Sequence, residues 1–137
     1  MKEFRGKVAV VTGAASGIGL ALSERFAAEG MKIVMADIEE KALVKAGKKI
    51  GATGAATLQV VTDVSKPEDV DELARKTIDT FGGVHILCNN AGVFRGGTSW
   101  EMPREDYAWM LGVNLFGVIH GIRSFMPILS EQDVGLT

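Results

Sequence analysis

The 137-residue chain has only one cysteine, Cys88. It can form no internal disulfide, which fits a reducing compartment, and a cytoplasmic protein is expected. An excess of either charge is also missing. Fifteen Lys and Arg against 17 Asp and Glu leave a net charge of -2, which gives no reason to expect binding to nucleic acid or to an acidic membrane surface. The opening "MKEFRG" carries charges of both signs and the apolar run after it is short, a poor signal segment. The most apolar later stretch, from Met110 to Ile122, is interrupted by Asn114 and His120 and is predicted too short to span a bilayer. Repeats, low-complexity tracts and interdomain linkers are absent, so residues 1–137 read as one domain. His85 and His120 do not cluster with Cys88, and no metal site is expected.

What remains is an ordinary globular composition, 47% hydrophobic and 23% charged. "KVAVVT" (Lys7–Thr12) is β-branched and nearly all apolar, as a strand buried on both faces should be. Helix periodicity from Ile18 through Leu22 and Phe26, with Gly30 as a stop signal, predicts a helix over Gly17–Glu29. A second strand is predicted at Lys32–Asp37, and a helix with a cationic C-terminal end at Glu39–Gly51. A third strand follows at Ala56–Asp63. Ser65 and Glu68 have capping-box spacing, with Pro67 in the first turn of a helix that buries Val70, Leu73, Ala74, Ile78 and Phe81. Val84–Gly92 reads as a fourth strand running into a turn, and Arg104 to about Ser130 as one long helix. Strands alternating with helices at this spacing predict an α/β unit with a parallel sheet covered on both faces.

"VTGAASGIG" joins the first strand to the first helix. Such a turn exposes main-chain N–H groups at a helix N-terminus, where the dipole also favours negative charge. Gly13 supplies the sharp turn, Gly17 lets the backbone come close to a pyrophosphate, and Gly19 lets the helix pack on the sheet; Ser16 adds a hydroxyl. The Gly-x-x-x-Gly-x-Gly spacing differs from the general dinucleotide fingerprint, and alone it also fits a turn that binds nothing. Asp37 ends the second strand where an acid that binds the adenosine ribose belongs. It can equally cap the following helix, and the two roles are compatible. Asp63 ends the third strand on the same edge of the sheet.

With Asn89–Gly92 ("NNAG"), these residues resemble the short-chain dehydrogenase/reductase family over about Gly6 to Ser130. Thr12–Gly19 resembles its TGxxxGxG turn, Asp63-Val64 its adenine contact, and Asn89–Gly92 its NNAG turn. The resemblance implies a Rossmann-like, doubly wound parallel sheet, stopping here after about four strands and the long helix. It also implies cofactor binding by Gly13, Ser16, Gly17, Ile18, Gly19, Asp37, Ile38, Asp63, Val64, Asn90, Ala91 and Gly92. NAD is the expected cofactor and NADP the less favoured one, because Asp37 would face a 2′-phosphate with neither Ser16 nor Ile38 basic. Two charges about 4 Å apart at an effective dielectric near 20 repel by roughly 4 kcal/mol as an upper estimate.

The reaction so implied is hydride transfer between nicotinamide and a small alcohol or carbonyl substrate. The family's proton chemistry uses a Tyr with a Lys four positions later, a Ser and an Asn. Asn114, in "GVNLFGV", matches that Asn, although a helix-face amide making ordinary hydrogen bonds reads the same way. The one tyrosine, Tyr107, has Leu111 four positions on, and no lysine follows it. Tyr107 is therefore expected to pack near the start of the long helix, and the chain alone to be inactive. The alternative is a non-catalytic dinucleotide-binding or interaction fragment. The resemblance further implies that the fourth strand is left as a sheet edge. The apolar helix 104–130 would be partly uncovered, a possible surface for a homo-oligomer.

Overall fold

The computed structural model describes residues 1–132; residues 133–137, the end of the expected domain, lie outside the described residues. Four strands, β1 (Val8–Thr12), β2 (Lys32–Asp37), β3 (Thr57–Val61) and β4 (Ile86–Cys88), form one sheet in the order β3-β2-β1-β4. All pairings are parallel. The connecting helices are α1 (Gly17–Ala28), α2 (Glu40–Gly51) and α3 (Pro67–Phe81). After β4 come α4 (Arg104–Leu111), a π-helical turn (Gly112–Phe116) and α5 (Gly117–Ser130).

Every residue of β1 is buried, and its side chains alternate between two cores as strand geometry requires. Val8 and Val10 join Val34, Val60, Leu73, Leu87 and Phe125 on the face covered by α3 and α5. Ala9 and Val11 join Ile33, Met35, Leu43 and Ile50 on the face covered by α1 and α2. This is the α/β, doubly wound parallel arrangement expected from the alternation of elements.

Three local expectations need correction. Ser65 does not cap α3: its hydroxyl donates to Asp63 Oδ1 at 2.6 Å, and Lys66 occupies the N-cap position without a side-chain bond. A nearby acceptor on the preceding turn outcompetes the helix amides for that hydroxyl. β4 is only three residues long, because the chain turns out of the sheet at Asn89. The long helix is continuous from Arg104 to Ser130 but not uniform. The π-helical turn interrupts it where the Asn114 side chain bonds both backbone groups of Val93, and such insertions are frequent at functional sites. An 18-residue window of this 27-residue helix has a mean hydropathy of 1.2, enough by length and composition alone to cross a membrane, a length that the Met110–Ile122 run does not have by itself. In this fold Val113, Phe125 and Leu129 are buried, while Leu111, Leu115, Phe116 and Ile122 remain about half exposed (46–52%).

Candidate functional site

The sheet order places β2 on one side of β1 and β4 on the other. The loops leaving β1 and β4 therefore diverge at their carboxyl ends, where open α/β sheets form their crevices. The β1–α1 turn is shaped for close approach. Gly13 and Gly17 have φ of +65° and +56°, conformations that side chains resist. A Cβ on Gly17 would meet nothing within 4 Å, so the backbone there faces open space. A Cβ on Gly19 would fall on the Gly13 carbonyl oxygen and 2.6 Å from Asn90 Nδ2, so only glycine lets α1 sit this close to the turn.

The first turn of α1 contains no acidic residue, and the Ser16 hydroxyl makes no bond to the helix amides. By contrast, α2 has Glu40 in its first turn, α3 has Glu68 and Asp69, and α4 has Glu105 and Asp106. The first turn of α1 thus carries no compensating carboxylate of its own, Asp37 reaching only the preceding turn at Ala15 N–H, and its leading N–H groups have no intrahelical partner.

Around this turn the polar groups form two sets. Asp37, at the end of β2, accepts from Ala15 N–H through Oδ2 and from Glu39 N–H through Oδ1, each at 3.0 Å. Each oxygen keeps acceptor capacity beyond these bonds. Thr12 anchors the other side. Its buried hydroxyl accepts from Asn90 N–H and Ala91 N–H, each at 3.0 Å, and donates to Cys88 O at 3.3 Å. The Asn90 amide donates to Thr12 O at 3.0 Å and to Gly13 O at 3.4 Å. Asp63 is engaged within its own turn, with Oδ1 accepting from Ser65 N–H and Oγ and its N–H donating to Asp69 Oδ2.

A cavity of about 390 Å3 opens along this edge. Of the residues singled out from sequence, Gly13, Asp37, Ile38, Asp63, Val64, Ala91 and Gly92 line it. Ser16, Gly17 and Ile18 lie exposed at the start of α1, outside the cavity walls. Gly19 and Asn90 sit behind the turn and shape it from within. Asn114 is also off the cavity wall. Its Oδ1 accepts from Val93 N–H and its Nδ2 donates to Val93 O, both at 2.8 Å, clamping the loop after β4 to the π-helical turn.

The remaining polar candidates are structurally occupied. His85 Nδ1 accepts from Val8 N–H at 3.0 Å; burial, then the charges of Lys7 and Lys32, hold its pKa below the usual imidazole range. His120 Nδ1 lies 2.9 Å from Val64 O. Cys88 is half-buried, and burial pushes its thiol pKa up. Among the described residues no group of His, Cys, Asp and Glu could hold a metal ion. Tyr107 is not packed away as expected: it is 39% exposed, and its hydroxyl donates to Ser99 O at 2.7 Å.

Sequence reasoning missed the hub role of Thr12, whose signal was a hydroxyl ending an otherwise apolar strand. It favoured core or loop packing for Trp109 over a place on a substrate or subunit surface, and assigned no cavity contact to Val113 or Glu39; all three line the same space.

The family model for short chain dehydrogenases matches residues 7–136. The 1-deoxy-11-beta-hydroxypentalenate dehydrogenase of Streptomyces exfoliatus is 43% identical over 132 residues, covering 95% of this chain and 48% of that protein. A short chain dehydrogenase/reductase from Burkholderia phymatum, solved in complex with NAD, is 50% identical with a TM-score of 0.93 over 96% of this chain and 47% of the other. L-Sorbose reductase from Gluconobacter frateurii, solved with NADPH and L-sorbose, is 36% identical with a TM-score of 0.87 over 91% and 48%. The chain spans about half the length of the relatives it matches. Fold, glycine-rich turn and matched span agree: this chain belongs to the short-chain dehydrogenase/reductase family of NAD(P)-dependent oxidoreductases.

Proposed function

We propose that this chain is the cofactor-binding part of an NAD(H)-dependent oxidoreductase that interconverts an alcohol and a carbonyl in the cytoplasm. The observation that carries the reading is the β1–α1 turn, with its open main-chain approach at Gly17 and a helix start free of acidic side chains. The amides of Gly17, Ile18 and Gly19 and the Ser16 hydroxyl hold the pyrophosphate, with Gly13 shaping the turn. Asp37 accepts the ribose hydroxyls through its remaining lone pairs. Ile38, Asp63 and Val64 border the adenine, while Asn90, Ala91 and Gly92 form the opposite rim. When bound, nicotinamide supplies or takes up a hydride. Asn114 holds the loop that carries this rim and stands where the family places a proton-relay amide.

NAD is favoured over NADP because Asp37 and Glu39 border the cavity on the ribose side. The Burkholderia relative solved with NAD supports that choice; the NADPH-bound relative makes it a matter for this chain's own residues. Titrating the chain with NAD should shift the amide resonances of residues 13–19, and Asp37→Ala should narrow the preference for NAD over NADP. Unmoved resonances at saturating NAD would overturn the reading. A purely binding fragment is favoured by one sequence fact: Tyr107 has Leu111 where a paired lysine would stand. Residues 1–137 alone are accordingly expected to show no NAD-dependent turnover; activity lost on Asn114→Ala would contradict this.

A further inference from the structure

The cavity wall contains one aromatic side chain that the reading above does not use. Trp109, in α4, lines the same space as Ile38, Val64 and Val113, and at 42% exposure its indole is only partly covered by protein. The other large exposed aromatics among the described residues, Phe94, Trp100, Tyr107 and Phe116, are not on this wall.

The position of Trp109 is fixed by the helix that carries it. A Cβ on Gly112 would lie 3.6 Å from Ser65 Cβ, and one on Gly117 would lie 2.7 Å from Val64 Cγ2. His120 adds its bond to Val64 O. The helix therefore runs against the Asp63–Ser65 turn, and Trp109, three residues before Gly112, lines the cavity together with that turn. The ring is also held from the loop side. The Arg95 guanidinium lies 5.4 Å from the indole centroid and 3.7 Å from Asp106 Oδ1. Arg95 N–H donates to Met110 Sδ at 3.3 Å.

We infer that Trp109 is the aromatic wall of the purine compartment, contacting the adenine base through its indole ring. The inference rests on the proposed dinucleotide site. Ile38, Val64 and Val113 offer a base only aliphatic contact, whereas an indole adds a π surface. Removal of one stacking aromatic typically weakens nucleic-acid base binding by roughly tenfold or more.

ADP-ribose, which carries the adenine end without nicotinamide, is the probe. Trp109→Leu should weaken its binding by about tenfold, Trp109→Phe should restore most of that loss, and Trp100→Leu should leave affinity unchanged. In the wild-type chain, nuclear Overhauser contacts should connect adenine H2 or H8 with the indole protons, which decides the matter even if Trp109→Leu fails to fold. ADP-ribose binding with no such contacts, or with equal affinity for Trp109→Leu, would overturn the role of Trp109 and leave the dinucleotide site standing. A wild-type chain that binds no ADP-ribose would overturn both.

Discussion

On its β2 side, β1 is paired over five residues, from Val8↔Lys32 to Thr12↔Ala36; on its β4 side only Ala9, Val10 and Val11 have partners. The β2 flank is a regular backbone ladder. The β4 flank is finished at both ends by side chains. At the amino end the His85 imidazole takes the Val8 N–H, and the Gln132 amide pairs with both backbone groups of Val84. At the carboxyl end the Thr12 hydroxyl satisfies two amides of the loop that turns away. A crevice needs neighbouring strands to part, and parting leaves backbone groups that must be paired some other way. The side chains that do so thereby become determinants of the crevice.

The largest effect on that flank is expected from Gly19→Ala. The new Cβ would collide with the Gly13 carbonyl and crowd Asn90 Nδ2, both backbone-anchored, so α1 must shift outward. Overpacking of this kind costs about 1–3 kcal/mol or more, and the displaced turn should lose NAD binding along with stability. Denaturant unfolding and NAD titration check both. Near-wild-type stability with intact binding would mean that the turn is less rigid than the packing implies.

Thr12→Val tests the comparison more directly, because valine keeps the shape and removes the hydroxyl. Ala91 N–H would lose its acceptor, while Asn90 N–H would keep Cys88 O at 2.9 Å, so a loss of about 1–3 kcal/mol is expected. The matched control is Thr62→Val beyond β3, where the buried hydroxyl only donates to its near neighbour Val60 O. That change should cost about 1 kcal/mol or less. Equal losses at the two sites, measured by chemical denaturation, would erase the asymmetry between the flanks.

The same asymmetry explains what could be read from sequence. Strand and helix alternation, the glycine turn and the acid ending β2 all depend on local pattern, and the structure has them where the pattern predicts; β3 stops at Val61, two residues short of Asp63. Their roles toward a cofactor are a separate matter, carried by the proposal above. What escaped depends on which side chain wins a backbone partner across the fold. Ser65 had the spacing of a cap but found Asp63 first. The π-helical turn at Gly112–Phe116 has no periodic signature, since it accompanies the Asn114–Val93 pairing, 21 residues apart in the chain. The capture of Ser99 O by Tyr107 is equally nonlocal to the helix pattern.

Asn114→Ala should have a middling effect. It removes two bonds of about 0.5–1.5 kcal/mol each, and because water can replace them at this exposed site the expected loss is at the lower end of their sum, about 1–2 kcal/mol. The consequence should be local, with faster amide exchange at Val93 and little change along β1 and β2. Exchange that rises across the whole sheet would place Asn114 in the core of the fold rather than on the β4 flank alone.

The smallest effect concerns the other end of that flank and depends on pH. His85 accepts the Val8 N–H through Nδ1, so the folded state requires that nitrogen to be unprotonated. Its pKa is lowered by burial, then by Lys7 and Lys32. The unfolded chain, with an ordinary imidazole near pKa 6.5, therefore takes up a proton first as pH falls. Stability is independent of His85 well above about pH 6.5, declines as pH drops through that value toward the lower folded pKa, and levels off below it. His85→Asn supplies an amide oxygen near the place of Nδ1 but cannot titrate. The difference in unfolding free energy between wild type and His85→Asn should thus turn against the wild type between about pH 7 and pH 5. A difference that stays flat across this range would mean that the imidazole does not hold Val8 N–H in solution and that the backbone bond from His85 N–H to Val8 O is what joins the segments there.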